Sequence, residues 1–267
     1  MDGSTDGVHA AAVTAEDFGL KGPRGWAFRG IDIDAEPGSL IALEGPSGSG
    51  RTCLLLALAG RMRATEGHAC VGRFRLPKQL AAVRRISGLG PVPGVTDLDP
   101  ALTVAEHLHE RALLERRFGG PLRGLLRPRD ERRKETRLRV DTALAAAGLD
   151  MESLPKGRRT SVRDLERLEI LRLSVALALI GEPLVLGVDD TDLKLSDRER
   201  AEAWGLLQSL TERGTTVVAV CGEAPEGAVV VRTGARDEET GREEPGTDDD
   251  TDDDKETADA LAEAGRT

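Results

Sequence analysis

Short runs of apolar residues recur along this chain, bounded by residues that favour turns. Runs of this length that are apolar throughout are typical of strands buried on both faces of a sheet. Ile31 and Ile33 alternate with aspartates before the turn pair Pro37-Gly38, so residues 13–38 are predicted to form two short strands and a turn. The other predicted strands lie at residues 39–44, 71–76, 184–188, 216–220 and 229–231.

Helical patterns separate these strands. Thr103 precedes Glu106 by three residues, as Ser196 precedes Glu199, and this is the spacing of a capping box at a helix start. Strands that alternate with helices predict an α/β fold with a mostly parallel sheet, here interrupted by a helical insert. The predicted helices cover residues 53–59, 104–147 with breaks at Gly119-Gly120-Pro121 and Pro128, 162–180, and 196–210.

A glycine-rich loop joins the buried strand at residues 39–44 to the first helix. It follows the phosphate-binding pattern G-x-x-x-x-G-K-[ST], in which backbone N–H groups hold phosphate oxygens and the final hydroxyl binds Mg²⁺. An arginine replaces the lysine and keeps its charge, but its planar head makes the change non-conservative. A chance match in a Gly/Ser-rich linker is the alternative, and the flanking apolar elements disfavour it. The loop residues are Gly45, Pro46, Ser47, Gly48, Ser49, Gly50, Arg51 and Thr52.

The length of 267 residues suits one domain of about 200–250 residues plus tails. No apolar run reaches the roughly 18 residues needed to span a bilayer, and no basic region leads into an apolar stretch at the N-terminus. We therefore expect a soluble, cytoplasmic protein. Cys53, Cys70 and Cys221 lack metal or disulfide spacing, which fits a reducing compartment.

The net charge of −10 comes from the end of the chain. From Arg236 onward there are 14 acidic and 4 basic residues, whereas the rest of the chain carries 33 of each. Residues 236–267 are therefore predicted to be a disordered acidic tail, for which a solvating role is favoured over Ca²⁺ binding. Residues 1–12 are predicted to be a flexible N-terminus, and residues 13–235 to be the folded domain.

Four stretches resemble the ATP-binding cassette family, the nucleotide-binding subunits of ABC transporters. Besides the glycine loop, they are residues 102–108, 176–183 and 184–190, in the family's order and spacing. The resemblance implies a P-loop NTPase fold with N-terminal antiparallel strands and a helical subdomain at about residues 95–180. It also implies binding of ATP and Mg²⁺, with Asp189 as the metal-holding carboxylate. An aspartate that merely caps a turn is the alternative for Asp189.

In this family two cassettes pair head to tail, and each ATP lies between the phosphate loop of one and the signature motif of the other. The resemblance therefore implies a homodimer, or a heterodimer with another cassette, bound to a membrane-spanning transporter subunit at the inner face of the cell membrane. No nucleic acid is expected. The basic residues 111–139 favour a solvated helical subdomain over a nucleic-acid or lipid patch, and Arg116, Arg117 and Arg123 are candidates for docking to the membrane partner.

Two residues depart from the family in ways that affect chemistry. Glu166 falls in the signature region, residues 165–169, and places a carboxylate where the family donates hydrogen bonds to phosphate. Asp190 stands at the position of the catalytic glutamate and is one methylene shorter. A base that is displaced by about 1 Å from its water loses on the order of 100-fold in rate.

Two family residues are missing altogether. No histidine follows His109, and Gly222 stands at the position of the switch histidine. No glutamine lies between Gln79 and Gln208, and Pro91 is near the position of the loop glutamine. The aromatic residue that stacks on adenine is also absent near Gly22, where Trp26 is interpreted as a core strand residue in preference to a stacking one.

The sequence thus predicts an ATP-binding subunit of an ABC-type membrane transport or export system, with hydrolysis that is weak or dependent on a partner subunit. A non-catalytic nucleotide-sensing module that gates or assembles a membrane partner is the alternative. A nucleotide kinase is disfavoured, because an arginine-rich lid is not evident. His107 and His109 are two residues apart on a predicted helix and so are poorly placed to bind one metal.

Overall fold

The computed structural model describes residues 10–23, 25–118, 129–192 and 194–234. The predicted acidic tail at residues 236–267, most of the predicted flexible N-terminus and the predicted helix breaks at residues 119–121 and 128 lie outside these ranges. In chain order, the elements described are β1 (Val13–Gly22), β2 (Gly25–Ala35), β3 (Leu40–Glu44), α1 (Arg51–Leu58), β4 (Glu66–Val71), β5 (Phe74–Leu76), α2 (Leu80–Ile86), β6 (Ser87–Leu89), α3 (Val104–Phe118), α4 (Arg129–Ala146), α5 (Arg167–Leu179), β7 (Val185–Val188), α6 (Asp197–Glu212), β8 (Thr216–Cys221) and β9 (Val229–Arg232).

Four strands form an antiparallel sheet in the order β2-β1-β4-β5. The pair β1 and β2 corresponds to the two strands predicted for residues 13–38. The prediction of a single strand at residues 71–76 is wrong. β4 ends at Val71 and β5 begins at Phe74, because Gly72 has a left-handed φ of 55° and turns the chain between them.

Five strands form a sheet in the order β6-β7-β8-β3-β9, and every neighbouring pair runs parallel. This sheet confirms the predicted α/β fold. Because β3 lies between β8 and β9, its C-terminal end is flanked by two strands that come far later in the sequence. The loop that follows β3 is therefore surrounded by the ends of distant segments.

Both predicted capping boxes are present. The backbone N–H of Thr103 donates to Glu106 Oε2 at 2.7 Å, and the N–H of Ser196 donates to Glu199 Oε2 at 2.8 Å. The helix predicted over residues 162–180 begins later than expected, since Val162–Asp164 is a 3₁₀ turn and α5 starts at Arg167. The short elements α2 and β6 have no counterpart in the sequence-based prediction, because seven and three residues are too few to show a period.

The parallel sheet is covered on both faces. Val218 and Val220 of β8 pack into one hydrophobic cluster with α1 and the antiparallel sheet, whereas Val217 and Ala219 pack into a second cluster with α5 and α6. This double coverage explains why the parallel strands are apolar throughout. None of the helices in the described ranges is both long and apolar enough to cross a membrane.

Candidate functional site

The glycine loop lies at the C-terminal end of β3 and leads directly into α1. Gly48 and Gly50 have φ values of 84° and 83°, in the left-handed region that residues with side chains rarely adopt. A Cβ atom at Gly50 would overlap the carbonyl group of Ala27 on β2. Conformation and space therefore both require glycine at residue 50, and the loop is held close against β2.

The N-terminal end of α1 is open. Gly50 is the N-cap residue, the first turn contains no acidic residue, and no side chain within the described residues caps the helix. Pro46, Ser47 and Gly48 form the exposed part of the loop, and the Ser49 N–H donates to the Pro46 carbonyl at 3.2 Å. An uncapped helix start has unpaired N–H donors and a positive dipole end, so this geometry fits a phosphate group.

Thr52 and Asp189 meet beside this helix end. Thr52 Oγ1 donates to Asp189 Oδ2 at 2.7 Å, and Asp189, just after β7, is only 3% exposed. The Asp189 N–H donates to the Pro91 carbonyl at 2.9 Å, so Pro91 lies next to this site. A hydroxyl and a carboxylate are oxygen ligands that fit Mg²⁺, which commonly completes its coordination with phosphate oxygens and water. In the described ranges no group of three His, Cys, Asp or Glu side chains is arranged to hold a metal, so phosphate ligands would be needed.

Asp190 follows Asp189 but has a different environment. Its backbone has a φ of 49°, and its N–H donates to Asp189 Oδ1 at 2.9 Å. Although the residue is exposed overall, partial desolvation of its carboxyl group raises its pKa, and the negative charge of Asp189 raises it further. The charge of Arg51 acts in the opposite direction. The Asp190 carboxyl group is therefore within the electrostatic influence of the glycine-loop arginine.

Three contacts in this region were not predicted from the sequence, because each joins residues that are far apart along the chain. Ser49 Oγ and Thr233 Oγ1 form a hydrogen bond of 2.5 Å, so the glycine loop is tied to the residue after β9. Arg51 Nη1 donates to the Cys221 carbonyl at 2.6 Å, at the end of β8. Asp192 Oδ2 accepts from the N–H of Gly222 at 2.7 Å. The sequence carries no local signal for these three contacts.

The signature region forms the start of α5. Glu166 is the N-cap residue, and it forms a reciprocal capping box with Glu169, whose Oε2 accepts from the Glu166 N–H at 2.8 Å. The N-terminal end of α5 is thus already paired with carboxylates of the chain itself. It is poorly suited to receive a phosphate group, in agreement with the charge argument from the sequence.

Trp26 lies on β2, as expected for a strand residue, but it is half-buried and so is not the core residue that was predicted. Its ring lies 4.6 Å from Arg29 Cζ and 5.4 Å from Lys21 Nζ, measured to the ring centroid. With Gly22 it lines an open groove of about 540 Å³. The ring therefore already contacts two cations.

The two histidines of α3 point in different directions. His107 is buried and its Nε2 lies 3.2 Å from the Asp99 carbonyl oxygen, whereas His109 is exposed. On the same helix, Arg111 pairs with Glu115 at 2.8 Å. Arg123, a predicted docking residue, lies outside the described residues.

A family model described as ABC transporter matches residues 28–192. The arabinose import ATP-binding protein AraG of Burkholderia pseudomallei (strain 1710b) is 30% identical over 211 residues, which make up 78% of this chain and 38% of the relative. The daunorubicin resistance ATP-binding protein DrrA3 of Streptomyces coeruleorubidus is 31% identical over 196 residues, or 72% of this chain and 54% of the relative. The chain thus spans only 38% and 54% of the lengths of these two relatives.

Solved structures share the fold. The dimeric structure of MJ0796, a bacterial ABC transporter cassette, has a TM-score of 0.63 and 20% identity, covering 83% of this chain and 94% of that one. A dimeric post-hydrolysis state of MJ0796 bound to ADP and phosphate has a TM-score of 0.60 and 22% identity, with 79% and 88% covered. At these identities the likeness concerns the fold alone.

Proposed function

The chain belongs to the ABC transporter family, and from this premise we propose that it is the ATP-binding subunit of an ABC-type membrane transport or export system. The observation that carries the proposal is the 2.7 Å contact of Thr52 with Asp189 beside the open end of α1. A hydroxyl on the helix start next to a buried carboxylate is the arrangement that P-loop NTPases use for Mg²⁺ and phosphate.

In this proposal ATP binds with its phosphates at residues 45–50 and the α1 N-terminus, and Arg51 neutralises part of their charge. Thr52 and Asp189 are the residues that would hold Mg²⁺, which would neutralise part of the phosphate charge. The lack of room for a Cβ at Gly50 supports this assignment, because the loop backbone has to approach the phosphate group closely.

We propose that hydrolysis is weak. Asp190 is the acidic residue nearest to the expected position of the base, but its short side chain and left-handed backbone limit its reach toward an attacking water. Pro91 and Gly222 supply neither an amide side chain nor an imidazole to orient that water. The arrangement supports nucleotide binding better than turnover.

We propose that the protein works with a membrane-spanning subunit and pairs with a second cassette, either another copy of this chain or a different one. In a homodimer both ATP sites would face a Glu166 carboxylate, whereas in a heterodimer an intact signature from the partner would complete one site. The subunit would then lie at the cytoplasmic face of the cell membrane through its partner. We expect no nucleic-acid partner, and two basic residues of this region, Arg111 and Arg139, pair with Glu115 and Glu135.

The test is MgATP binding and phosphate release by the purified protein. We expect saturable binding that weakens at least about 10-fold in Arg51→Ala, with phosphate release well below the ~1 s⁻¹ that marks slow enzymes. Arg198→Ala, at an exposed arginine of α6, is the matched control and should bind normally. Absence of binding would overturn the proposal. Fast release that disappears in Asp190→Asn would overturn its claim of weak hydrolysis.

A further inference from the structure

The Arg51 side chain connects the glycine loop to the C-terminal end of β8. Its Nη1 donates to the Cys221 carbonyl oxygen at 2.6 Å, although the two residues are 170 positions apart in sequence. The contact exists because β8 lies directly beside β3 in the parallel sheet, so the C-terminal ends of the two strands are adjacent. The residue that reaches for phosphate in this motif thus also binds a main-chain carbonyl.

The residues that follow Cys221 are held by a second contact, with the side chain of Asp192. The N–H groups of Gly222 and Glu223 donate to Asp192 Oδ2 at 2.7 and 3.4 Å. A Cβ at Gly222 would lie only 3.2 Å from this oxygen, so the carboxylate approaches the backbone closely. The start of the loop at residues 222–228 is therefore held between the glycine-loop arginine and a carboxylate that follows β7.

Arginine suits a bridge of this kind better than lysine does. The guanidinium group is planar and presents several N–H donors in a fixed fork, so a bond to one carbonyl leaves donors that can reach phosphate oxygens. A lysine ammonium group is a compact point charge on a flexible stem. The glycine-loop arginine can therefore bind two acceptors in one defined geometry.

We propose that Arg51 couples the terminal phosphate of a bound nucleotide to the loop at residues 222–228, by donating at once to that phosphate and to the Cys221 carbonyl. The inference rests on the proposed function, since it requires a nucleotide at the glycine loop. It gives Arg51 a second role, as a positioning residue for the segment after β8. With the terminal phosphate present, the guanidinium is fixed from both sides and the loop is held more firmly.

The test is amide hydrogen exchange of the full chain without nucleotide, with MgADP, and with Mg²⁺ and a non-hydrolysable ATP analogue. The nucleotide concentrations are chosen from affinities measured on the same samples, so that equal fractions of the protein have nucleotide bound. We expect the backbone amides of residues 222–228, apart from Pro225, which has no N–H, to exchange at least about threefold more slowly with the ATP analogue than with MgADP. In Arg51→Lys this difference between the two nucleotides should disappear, and in the control Arg198→Lys it should remain.

A purely structural bond from Arg51 would change loop exchange equally in all nucleotide states, so the difference between the two nucleotides is the decisive readout. An equal rate with both nucleotides in the unaltered protein would overturn the inference while leaving the proposed function intact. So would an undiminished difference in Arg51→Lys. If neither nucleotide binds, the proposed function fails and the inference fails with it. Asp192→Ala should speed exchange at Gly222 and Glu223 in every state, which verifies that these amides report on the anchored loop.

Discussion

Two helices of this protein, α1 and α5, differ in whether the chain places carboxylates at their N-terminal ends. α1 follows the N-cap residue Gly50 and has no acidic residue in its first turn, whereas α5 follows the N-cap residue Glu166, which forms a capping box with Glu169. Both helix starts attract negative charge for the same reason, because their first N–H groups lack partners within the helix. In α5 the sequence itself supplies the anion. In α1 the first turn supplies no anion, which supports the proposed binding of phosphate at this helix start.

The largest expected effect comes from giving α1 a carboxylate of its own. Arg51→Glu should weaken MgATP binding by at least about 100-fold, because repulsion replaces attraction next to the phosphates. Titration calorimetry measures the affinity, and the melting temperature verifies that the variant is folded. Arg167→Glu, the same change at the first residue of α5, should leave the affinity within about twofold. Equal losses in the two variants would show that the ends of α1 and α5 do not differ as described.

A smaller effect on MgATP affinity is expected from the hydrogen bond between the glycine loop and the residue that follows β9. Thr233→Val removes the hydroxyl group that bonds to Ser49, which should cost about 1 kcal/mol in MgATP binding, or roughly fivefold in affinity. Thr233→Ser keeps the hydroxyl and should restore most of the affinity. If the serine variant binds as weakly as the valine variant, the hydrogen bond does not position the loop.

At the start of α5 we expect a change in stability and no change in nucleotide affinity. Glu166→Ala removes the N-cap of α5 and should lower the free energy of unfolding by about 1 kcal/mol, measured by urea denaturation. The affinity of the isolated protein for MgATP should be unchanged, because the proposed phosphate site lies at α1. Ser196→Ala at the start of α6 is the matched control for loss of an N-cap. A change in affinity specific to Glu166→Ala would contradict the separation of the two helix ends.

The smallest expected effect is a change in melting temperature when the charge of Asp190, which lies next to Asp189 near the start of α1, is removed. The pKa of Asp190 is raised above its usual value of 3.8, so its ionised form opposes folding once the pH exceeds that value. Protonated Asp190 stabilises the folded state relative to ionised Asp190. This stabilisation is complete below pH 3.8 and is lost as the pH rises through the raised pKa. Asp190→Asn should therefore raise the melting temperature at pH 7 by at most about 2 °C, because solvent screens this group. The gain should shrink as the pH falls toward 4, and a gain independent of pH would exclude both desolvation of the ionised carboxylate and its repulsion by Asp189 as the cause.

The sequence-based predictions succeeded where a feature depends on nearby residues. The capping boxes at Thr103 and Ser196 need only a spacing of three residues, and both are present. The family resemblance and the parallel α/β fold are also confirmed. The prediction for residues 71–76 failed because a single left-handed glycine, Gly72, divides the run. The start of α5 was misplaced because a Glu–Glu capping box is a weaker signal than one led by serine or threonine.

The sequence by itself determined the strand, glycine loop and helix around residues 40–58, since apolar runs and glycine positions act on the backbone locally. Only the tertiary structure decided what surrounds that loop. The sheet order β8-β3-β9 brings the Cys221 carbonyl to Arg51 and Thr233 to Ser49. Apolar patterns mark a segment as a strand but do not state its neighbours, because many sheet orders bury the same residues equally well. Contacts between residues 170 and 184 positions apart therefore appear only once the sheet has assembled.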